Sequence, residues 1–456
     1  MAALLFVLID LVLVAATVQG IGWGFHEYLF PDAPYGFVGA TVNSTSILLL
    51  TIFGNYAVSL YDREVLVTRL GLLSRVVVAT VGAIIGGLLI QYFVWYMPNG
   101  RIIVVTQAFA LGSVSLAWRY VLSTIYRDAP KRRVAVYGTP FVCAEVDRIL
   151  REQAFCAYEI QYFVESREAS TEGDSAVELR ADIQQLASLD ALVGVESEAP
   201  EVLLMGHQGA LRTSAMGPMT KLRDRGVRPR SAAAFVSDLA GFIPIDLASV
   251  DWVVGALDRV HQRSSLPLKR ALDVSVSLAG ILVMVLLSPL LFVLTKYRSP
   301  GPLFYSQERV GLGGEVFTIY KFRSMTQAST TAGKWADQEK ARISPGGHVL
   351  RQSRLDELPQ FWNVLRGEMS VVGPRPEQPS ITETLQQSIE FLHYRYAVKP
   401  GITGWQQVKQ GYVITEEGWM KRLTYDLYYV QNFGVLFDIE IMVKTAFIML
   451  ARIRSH

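Results

Sequence analysis

Two adjacent carboxylates, Asp356 and Glu357, lie in a segment rich in cations, RLDELPQFWNVLRGEMSVVGPRP at residues 354–376. Neighbouring side chains at the start of a helix point about 100° apart, so the two groups do not share one face. They can divide the work of phosphoryl transfer, since an aspartate can attack phosphorus and a second carboxylate can hold Mg²⁺. The pattern predicts Asp356 and Glu357 as catalytic and Mg²⁺-binding residues. The alternative is a solvated helix face with Glu357 paired to Arg354.

Phosphoryl transfer also needs cations, because the protein mainly aligns the reacting groups and neutralises their charge. A guanidinium group matches two phosphate oxygens at once. Pro374 and Pro376 would stiffen the backbone around Arg375 and aim its side chain, although a plain turn is the alternative for this Pro-Arg-Pro motif. The predicted phosphate-binding residues are Lys321, Arg323, Arg351, Arg354 and Arg375.

The composition is typical of a membrane protein. The chain has 456 residues, enough for two or three domains, and is 51% hydrophobic with only 18% charged residues. Its formal net charge of +2 argues against a nucleic-acid partner. Only two cysteines occur, Cys143 and Cys156, which leaves no disulfide framework and no zinc-binding spacing.

Four long apolar stretches fill residues 1–127, and each is near the length that crosses a bilayer as a helix. The loops after the second and fourth stretches carry most of the Lys and Arg residues. The positive-inside rule therefore places these loops, and both ends of the bundle, in the cytoplasm. We predict a four-helix transmembrane domain, with a soluble bundle of unusually apolar helices as the alternative. The stretches are 2–18, 38–60, 72–97 and 102–125.

Residues 128–262 are predicted to form a Rossmann-like cytoplasmic domain. The segments VAVYG, YEIQYFV, DALVGVE and EVLLMG have the pattern of short buried strands, and TPFVCAEVDRIL that of the helix after the first strand. The turn YGTPFVCAE lacks the later glycines of the G-x-G-x-x-G pattern, which let a backbone approach a pyrophosphate. We therefore assign this domain no ligand and expect a regulatory or dimerising module.

Residues 263–456 form the third predicted domain, which begins with a fifth apolar stretch at 268–298. Ser288 and Pro289 interrupt it, because proline removes a helix hydrogen bond and serine can satisfy the freed backbone groups. Basic residues at both ends favour a re-entrant helix that enters one leaflet and returns. The alternative is a fifth span, which would place the rest of the chain outside the cell. The flanking residues are Lys269, Arg270, Lys296 and Arg298.

The remainder of this domain is mostly polar. GPLFYSQERVGLGGEVFTIYKFRSM predicts two strands around a glycine turn, and HVLRQSRLDELPQFWNVLRGEM has helical spacing. QASTTAGKWADQEKARISPGGH is typical of a mobile loop. FGVLFDIEIMVKTAFIMLARIRSH predicts an amphipathic helix that lies in the membrane interface or packs against the core. The predicted fold class is membrane α plus α/β, ending in a small, mostly helical cytoplasmic catalytic domain.

An ordered series of motifs within residues 267–450 resembles the bacterial sugar transferases, the monotopic phosphoglycosyl transferases. The motifs are KRALD, SP, GP-F-SQ-R-G, KFRSM, LRQSRLDELPQFWNVLRGEMSVVGPRPE, KPGITGWQQV and YDLYYV. The four-span N-terminus and the α/β middle domain resemble the long members of that family, the polyprenyl-phosphate hexose-1-phosphate transferases.

The resemblance implies a role for each matching residue. Asp356 matches the nucleophile that takes the sugar phosphate from a UDP-sugar and releases UMP, and Glu357 matches its partner associated with Mg²⁺. Ser288 and Pro289 match the break in the family's re-entrant helix, and Arg375 lies in its Pro-Arg-Pro motif. The implied reaction passes the sugar phosphate through a covalent aspartyl intermediate to undecaprenyl phosphate, giving undecaprenyl-diphospho-sugar.

The resemblance also implies partners and a location. This reaction is the first membrane step of exopolysaccharide or O-antigen synthesis. Because UDP-sugars are cytoplasmic, it requires a catalytic domain on the cytoplasmic face of the bacterial inner membrane, which favours the re-entrant helix. Glucose is the favoured sugar with galactose as the alternative, and long family members imply a homodimer. A catalytically inactive membrane scaffold is the alternative from a different functional class.

Overall fold

The computed structural model divides the chain into two compact units, Met1–Phe235 and Val236–His456. Residues 236–247 therefore belong to the same unit as the predicted catalytic domain, while the three-domain division stays a prediction. The described residues are 10, 12, 16, 49–55, 60, 69–93, 100–127, 131–152, 158–165, 179–195, 199–206, 213–247, 255, 266–296, 301–325, 344–389, 391–409 and 416–454.

Two long apolar helices, α1 (Arg69–Phe93) and α2 (Gly100–Arg127), lie in the first unit. They pack closely enough for Gly112 to lie against Thr80. They correspond to the third and fourth predicted spans, whereas most of the first two spans lies outside the described residues. Among the helices that the structure describes, none is by itself both long and apolar enough to cross a membrane.

The first unit also contains a five-stranded parallel sheet, with strand order β3-β2-β1-β4-β5. The central strand, β1, has a neighbouring strand on each side, and its apolar residues 134–136 are fully buried. The parallel α/β prediction is confirmed. The strands are β1 (Arg132–Gly138), β2 (Tyr158–Glu165), β3 (Gln184–Leu186), β4 (Val202–Met205) and β5 (Arg228–Ser231). The helices in this part of the chain are α3 (Pro140–Glu152), α4 (Leu189–Val193), α5 (Thr213–Asp224) and α6 (Ala232–Ala240), the last of which continues into the second unit.

One predicted strand of this sheet is wrong. Residues 190–193 of the segment DALVGVE lie in helix α4, and Gly194 follows in a turn. The Ser188 side chain caps this helix by accepting a hydrogen bond from the Ala191 N–H at 3.2 Å, and Leu189 and Leu192 bury the same face at i, i+3 spacing. The third strand instead lies at QQL, which is largely exposed and therefore gives no hydrophobic signal.

The second unit begins its apolar part with a bent pair of helices, α7 (Leu266–Leu286) and α8 (Ser288–Lys296). Together the two helices are long and apolar enough to cross a membrane, and they are bent by 66° at the break between them. Ser288 and Pro289 are the first residues after the break. Large apolar side chains remain exposed on both helices, namely Leu278, Leu282, Val283, Val285, Leu286, Leu290, Phe292 and Val293.

An antiparallel hairpin of β6 (Phe304–Val310) and β7 (Val316–Phe322) follows, which confirms the two predicted strands. The helical run predicted next is broken, and the predicted loop before it falls mostly outside the described residues. Helix α9 (Pro345–Gln352) ends before Arg354, whose backbone is left-handed at φ 57°. A 3-10 turn at Leu355–Glu357 comes next, and α10 (Gln360–Arg366) starts after Pro359.

The rest of the second unit forms the core behind this turn. Strands β8 (Ser370–Val372) and β9 (Gly401–Thr403) pair in parallel, and Val371, Trp405 and Tyr429 are buried among the core side chains. The predicted C-terminal helix is confirmed at α14 (Val435–Arg454). The other helices of this region are α11 (Pro379–Ser388), α12 (Trp405–Lys409) and α13 (Glu416–Asn432), and a further 3-10 helix covers Leu392–Ala397.

Candidate active site

The acidic pair lies in the 3-10 turn between α9 and α10. The left-handed backbone of Arg354 redirects the chain, and the Glu357 N–H then bonds to the Arg354 carbonyl at 3.1 Å. Leu355 and Leu358 pack against a small apolar cluster that includes Leu291 of α8. The bent helix pair therefore supports the turn that presents the two carboxylates.

Both carboxylates are buried. Asp356 is 8% exposed and Glu357 is 6% exposed. The i, i+3 pair between Arg354 Nη1 and Glu357 Oε2 is present at 3.2 Å. Burial of both acidic groups nevertheless makes the solvated helix face wrong as an interpretation of this pair.

Three cations surround Glu357. Besides Arg354, Arg375 Nη2 donates to Oε1 at 2.9 Å, and Lys321 Nζ lies 3.3 Å from the same oxygen. Burial alone would raise the pKa of Glu357, but the charges of Arg375, Lys321 and Arg354 outweigh it and hold this pKa well below its ordinary value. Glu357 is therefore ionised at any physiological pH.

Asp356 lies in a different environment from its neighbour. Burial and then the negative charge of Glu357 raise the pKa of Asp356 to about 6, against the opposing charges of Lys321, Arg351 and Arg354. No described residue donates a hydrogen bond to its buried Oδ1. A carboxylate that is neither solvated nor hydrogen-bonded at one oxygen is a better nucleophile than a hydrated one, and this oxygen remains available to a ligand.

The predicted cations divide into three groups. Lys321, Arg354 and Arg375 meet at Glu357, and Arg351 on α9 is close enough to lower the pKa of Asp356. Burial, followed by the charge of Arg375, lowers the pKa of Lys321. Arg323 lies just beyond the end of β7 with its guanidinium group against Gly301.

The donor set is compatible with Mg²⁺. The described part of the chain contains no group of three or more His, Cys, Asp or Glu side chains placed to hold a metal ion. Mg²⁺ commonly needs only one or two carboxylates when substrate phosphates complete its shell. The unpartnered Oδ1 of Asp356 beside Glu357 matches such an incomplete site.

Helix α7 approaches the site through a glycine. A side chain at Gly280 would overlap the ring of Phe361 on α10, so only glycine allows this contact. Helix α8 packs against α9 in the same way, because a side chain at Gly346 of α9 would overlap the Leu294 carbonyl of α8. The apolar helix pair is thus fixed to the same two elements that flank the acidic turn.

Sequence reasoning missed a second group of charged residues, which lies behind the Pro-Arg-Pro segment. Their signals were weak: Glu377 directly follows that motif, and Asp426 lies in the YDLYYV motif, for which no role was predicted. The group comprises Arg309, Glu377, Arg395, Arg422 and Asp426.

Known proteins match the second half of this chain. The UDP-N-acetylgalactosamine-undecaprenyl-phosphate N-acetylgalactosaminephosphotransferase of Aeromonas hydrophila is 42% identical over 202 residues, which are 41% of this chain and 47% of that protein. The UDP-glucose:undecaprenyl-phosphate glucose-1-phosphate transferase of Escherichia coli K12 is 41% identical over 186 residues, 40% of this chain and 39% of that protein. The matched region thus spans less than half the length of either relative.

A shorter relative is matched over most of its length. The uncharacterized sugar transferase EpsL of Bacillus subtilis strain 168 is 34% identical over 178 residues, 39% of this chain and 85% of that protein. The family model described as bacterial sugar transferase matches residues 264–452, which include the bent helix pair, the acidic turn and the Pro-Arg-Pro segment. This chain therefore belongs to the bacterial sugar transferase family.

Proposed function

We propose that this chain transfers a hexose-1-phosphate from a UDP-sugar to undecaprenyl phosphate, through a phosphosugar bound covalently to Asp356. The observation that carries the proposal is the buried acidic turn. Asp356 has a raised pKa and an unpartnered oxygen, while three cations neutralise the adjacent Glu357. The names of the relatives, which act on UDP-sugars and undecaprenyl phosphate, support the same reaction.

In the first step, the free oxygen of Asp356 attacks the sugar-bearing phosphorus of the UDP-sugar. A new aspartyl oxygen–phosphorus bond forms, the bond to the bridging oxygen breaks, and UMP leaves with that electron pair. Negative charge grows on the bridging and peripheral phosphate oxygens. Lys321, Arg351, Arg354 and Arg375 lie near enough to the turn to stabilise that charge.

Mg²⁺ is the proposed cofactor, held by Glu357 and Asp356 together with diphosphate oxygens of the substrate. When bound, it would neutralise charge on the departing phosphate. The residues of the chain keep Glu357 ionised whether or not a metal is present, because Arg375 and Lys321 contact it directly.

In the second step, a phosphate oxygen of undecaprenyl phosphate attacks the same phosphorus. The bond to Asp356 breaks, the carboxylate is regenerated, and undecaprenyl-diphospho-sugar is released. The two substrates differ greatly in polarity, and a covalent intermediate means that they need not occupy the site together.

The membrane arrangement is part of the proposal. We place α7 and α8 in one leaflet as a re-entrant helix, with four transmembrane helices in residues 1–127 and the active site on the cytoplasmic face of the inner membrane. The 66° bend and the exposed apolar side chains of the pair support this placement. A homodimer remains a prediction.

The sugar is proposed at the level of a hexose. Glucose stays the favoured prediction and galactose the alternative. One relative is named for glucose and another for N-acetylgalactosamine. A test therefore needs UDP-glucose, UDP-galactose and UDP-N-acetylgalactosamine side by side.

The test uses the full chain in nanodiscs with each UDP-sugar and undecaprenyl phosphate. We expect UMP release that EDTA stops and Mg²⁺ restores, together with a mass adduct of hexose phosphate on Asp356 when the lipid is omitted. Asp356→Asn should abolish both signals, while Glu383→Gln, on the exposed side of α11, should change neither. No UMP from any of the three sugars would support the inactive scaffold instead. Full activity in Asp356→Asn would disprove the nucleophile.

A further inference from the structure

Three arginines hold the Pro-Arg-Pro segment from behind, through its main-chain carbonyl groups. Arg395 Nη2 donates to the Arg375 carbonyl at 2.8 Å, and Arg422 Nη2 donates to the same oxygen at 3.4 Å. Arg309 Nη1 donates to the Pro376 carbonyl at 3.1 Å. The flanking prolines have no N–H to donate. Main-chain N–H groups of Gly401 and Val310 bond the Pro374 and Glu377 carbonyls, whereas side-chain donors hold the two carbonyls between them.

Two buried carboxylates in turn fix the three arginines. Asp426 Oδ2 lies 2.8 Å from Arg395 Nη2, and these side chains are only 2% and 3% exposed. Glu377 pairs with Arg422, and its other oxygen lies 3.9 Å from Arg309 Nη1. We call this set the carbonyl-holding cluster: Arg309, Glu377, Arg395, Arg422 and Asp426.

The cluster joins separate parts of the fold. Arg309 lies on β6, Arg395 in the 3-10 helix Leu392–Ala397, and Arg422 and Asp426 on α13. The three arginines converge on the Pro-Arg-Pro segment, and the Arg375 side chain extends from that segment to Glu357, at 2.9 Å. Arg375 therefore links α13 to the acidic turn: its carbonyl accepts from Arg395 and Arg422, and its guanidinium group donates to Glu357.

Stability alone does not account for this cluster. Burying five charged groups requires their desolvation, and apolar residues of similar volume often serve the stability of a core as well or better. What apolar residues cannot do is donate to the carbonyl groups of a proline-flanked segment. Donors fixed on the Arg375 carbonyl hold the backbone of this residue in place, and a fixed backbone keeps its side chain in the single geometry that phosphate chemistry requires.

We propose that Arg395 and Asp426 are positioning residues, which hold Arg375 on Glu357 and so set the charge arrangement around the nucleophile. This inference rests on the proposed function. Neither residue contacts the acidic turn, so both act through Arg375.

A double-mutant cycle on the full chain in nanodiscs tests this role. The change Asp426→Asn keeps the side-chain shape and removes the charge. In the otherwise unchanged chain it should lower kcat/KM for UMP release by about 10- to 100-fold, as loss of supporting residues behind a functional group typically does. In an Arg375→Lys background, where the guanidinium fork is already lost, the same change should have less than a threefold effect. Equal losses in both backgrounds would overturn the proposal.

Conservative and remote variants separate positioning from folding. Arg395 uses one nitrogen, Nη2, to bond both the Arg375 carbonyl and Asp426. Arg395→Lys keeps a positive charge next to Asp426, but its side chain ends one bond short of the position of Nη2, so it should reproduce the loss in activity with little change in Tm. Arg366→Gln removes a half-exposed arginine paired with Glu368 and should leave kcat/KM unchanged. An activity loss in Arg366→Gln as large as in Asp426→Asn would also contradict a specific role.

Hydrogen exchange keeps the test independent of the proposed reaction. The Gly373 N–H bonds to the Thr403 carbonyl at 2.9 Å and reports on the entry to the Pro-Arg-Pro segment. Asp426→Asn should speed exchange in the peptide 371–378 and not in α9, whether or not UMP is released. If the unchanged chain releases no UMP, the proposed function fails and the exchange result alone decides the positioning role. Unchanged exchange at 371–378 would reject it.

Discussion

Asp356 and Glu357 are neighbours in one 3-10 turn, yet their carboxyl groups lie in opposite electrostatic environments. Three cations within 3.3 Å hold Glu357 ionised, whereas Asp356 has a pKa raised to about 6 and an Oδ1 without a hydrogen bond from the described residues. The charge of Glu357 is itself one cause of the raised pKa. The arrangement separates one carboxylate that collects cations from another that is left reactive.

The rate of the first step should depend on pH through Asp356. Only the ionised carboxylate attacks, so the rate constant of the UMP burst should be half-maximal near pH 6 and should fall about tenfold for each pH unit below that value. Rapid-quench measurement between pH 4.5 and 8, at subsaturating Mg²⁺ and UDP-sugar, checks this, because the rate then reports the pKa of the free enzyme. In Glu357→Gln the residual burst should titrate at lower pH, because a negative charge that raises the pKa of Asp356 is gone. A shift to higher pH would contradict this arrangement.

The raised pKa also means that the nucleophile destabilises the fold. A shift from 3.8 to about 6 disfavours the ionised form by about 3 kcal/mol, at about 1.4 kcal/mol per unit. The pKa of Asp356 is higher in the folded than in the unfolded chain, so ionisation of this residue lowers the free energy of unfolding. The loss is absent below about pH 4 and grows to its full size as the pH rises through about 6. Asp356→Asn should therefore match the unchanged chain near pH 4 and exceed it by up to about 3 kcal/mol above pH 6.

Denaturant unfolding in detergent at pH 4 and pH 7.5 measures this difference. The matched control is Glu383→Gln, an exposed carboxylate in the same unit, which should leave the free energy of unfolding unchanged at both pH values. A less stable Asp356→Asn at pH 7.5 would mean that the carboxylate contributes favourable ion pairs that outweigh its burial.

Local patterns predicted the parts of the fold that local residues determine. Two strand-like runs around a glycine turn predicted the hairpin that carries Lys321, and an amphipathic pattern that ends in basic residues predicted α14. The acidic pair was found because its neighbours in sequence are unusual: Arg354 before it and Pro-Arg-Pro after it. These signals arise within a few turns of chain, which is the range over which sequence periodicity carries information.

Contacts between distant residues were not predictable in the same way. Nothing in the spacing indicates that Arg354 adopts a left-handed backbone and breaks a helical run, because arginine rarely does so. Arg395 and Asp426 are 31 positions apart, and each is an ordinary charged residue until the fold buries them together. Helix α4 was missed because a short apolar run such as Ala191–Val193 suits a buried strand as well as a short helix.

The segment 241–247 should stabilise the second unit although it precedes the family match. Ile243 is fully buried in the core of this unit, its N–H bonds to the Thr424 carbonyl at 3.1 Å, and Trp405 Nε1 donates to the Gly241 carbonyl at 2.6 Å. Ile243→Ala should lower the free energy of unfolding by about 2–5 kcal/mol, as deletions of buried methyl groups do. Denaturant unfolding followed by Trp fluorescence measures it.

Two comparisons sharpen this prediction. Leu312→Ala removes an exposed side chain from the same unit and should change the free energy of unfolding by less than about 0.5 kcal/mol. A fragment that starts at residue 236 should also unfold at higher denaturant than one that starts at 264. Equal stability of the two fragments would mean that this segment is dispensable.

A buried ion pair between Asp10 and Arg119 should decide whether the N-terminal helices assemble. Both side chains are fully buried and bonded at both carboxylate oxygens, at 3.0 and 2.6 Å, and Asn55 and Trp118 donate to the same carboxylate. Arg119→Leu leaves a buried charge without its main partner, which typically costs about 3–5 kcal/mol.

The double change Asp10→Asn with Arg119→Leu removes both charges at once and leaves Asn55 and Trp118 with an acceptor. We therefore expect Arg119→Leu to lose most of its monodisperse peak in detergent size-exclusion chromatography, and the double variant to recover it with a Tm closer to that of the unchanged chain. Tyr120→Leu, at a partly exposed neighbouring position, is the control and should behave like the unchanged chain. A double variant as unstable as Arg119→Leu would mean that the packing of Arg119, and not its charge balance with Asp10, holds these helices together.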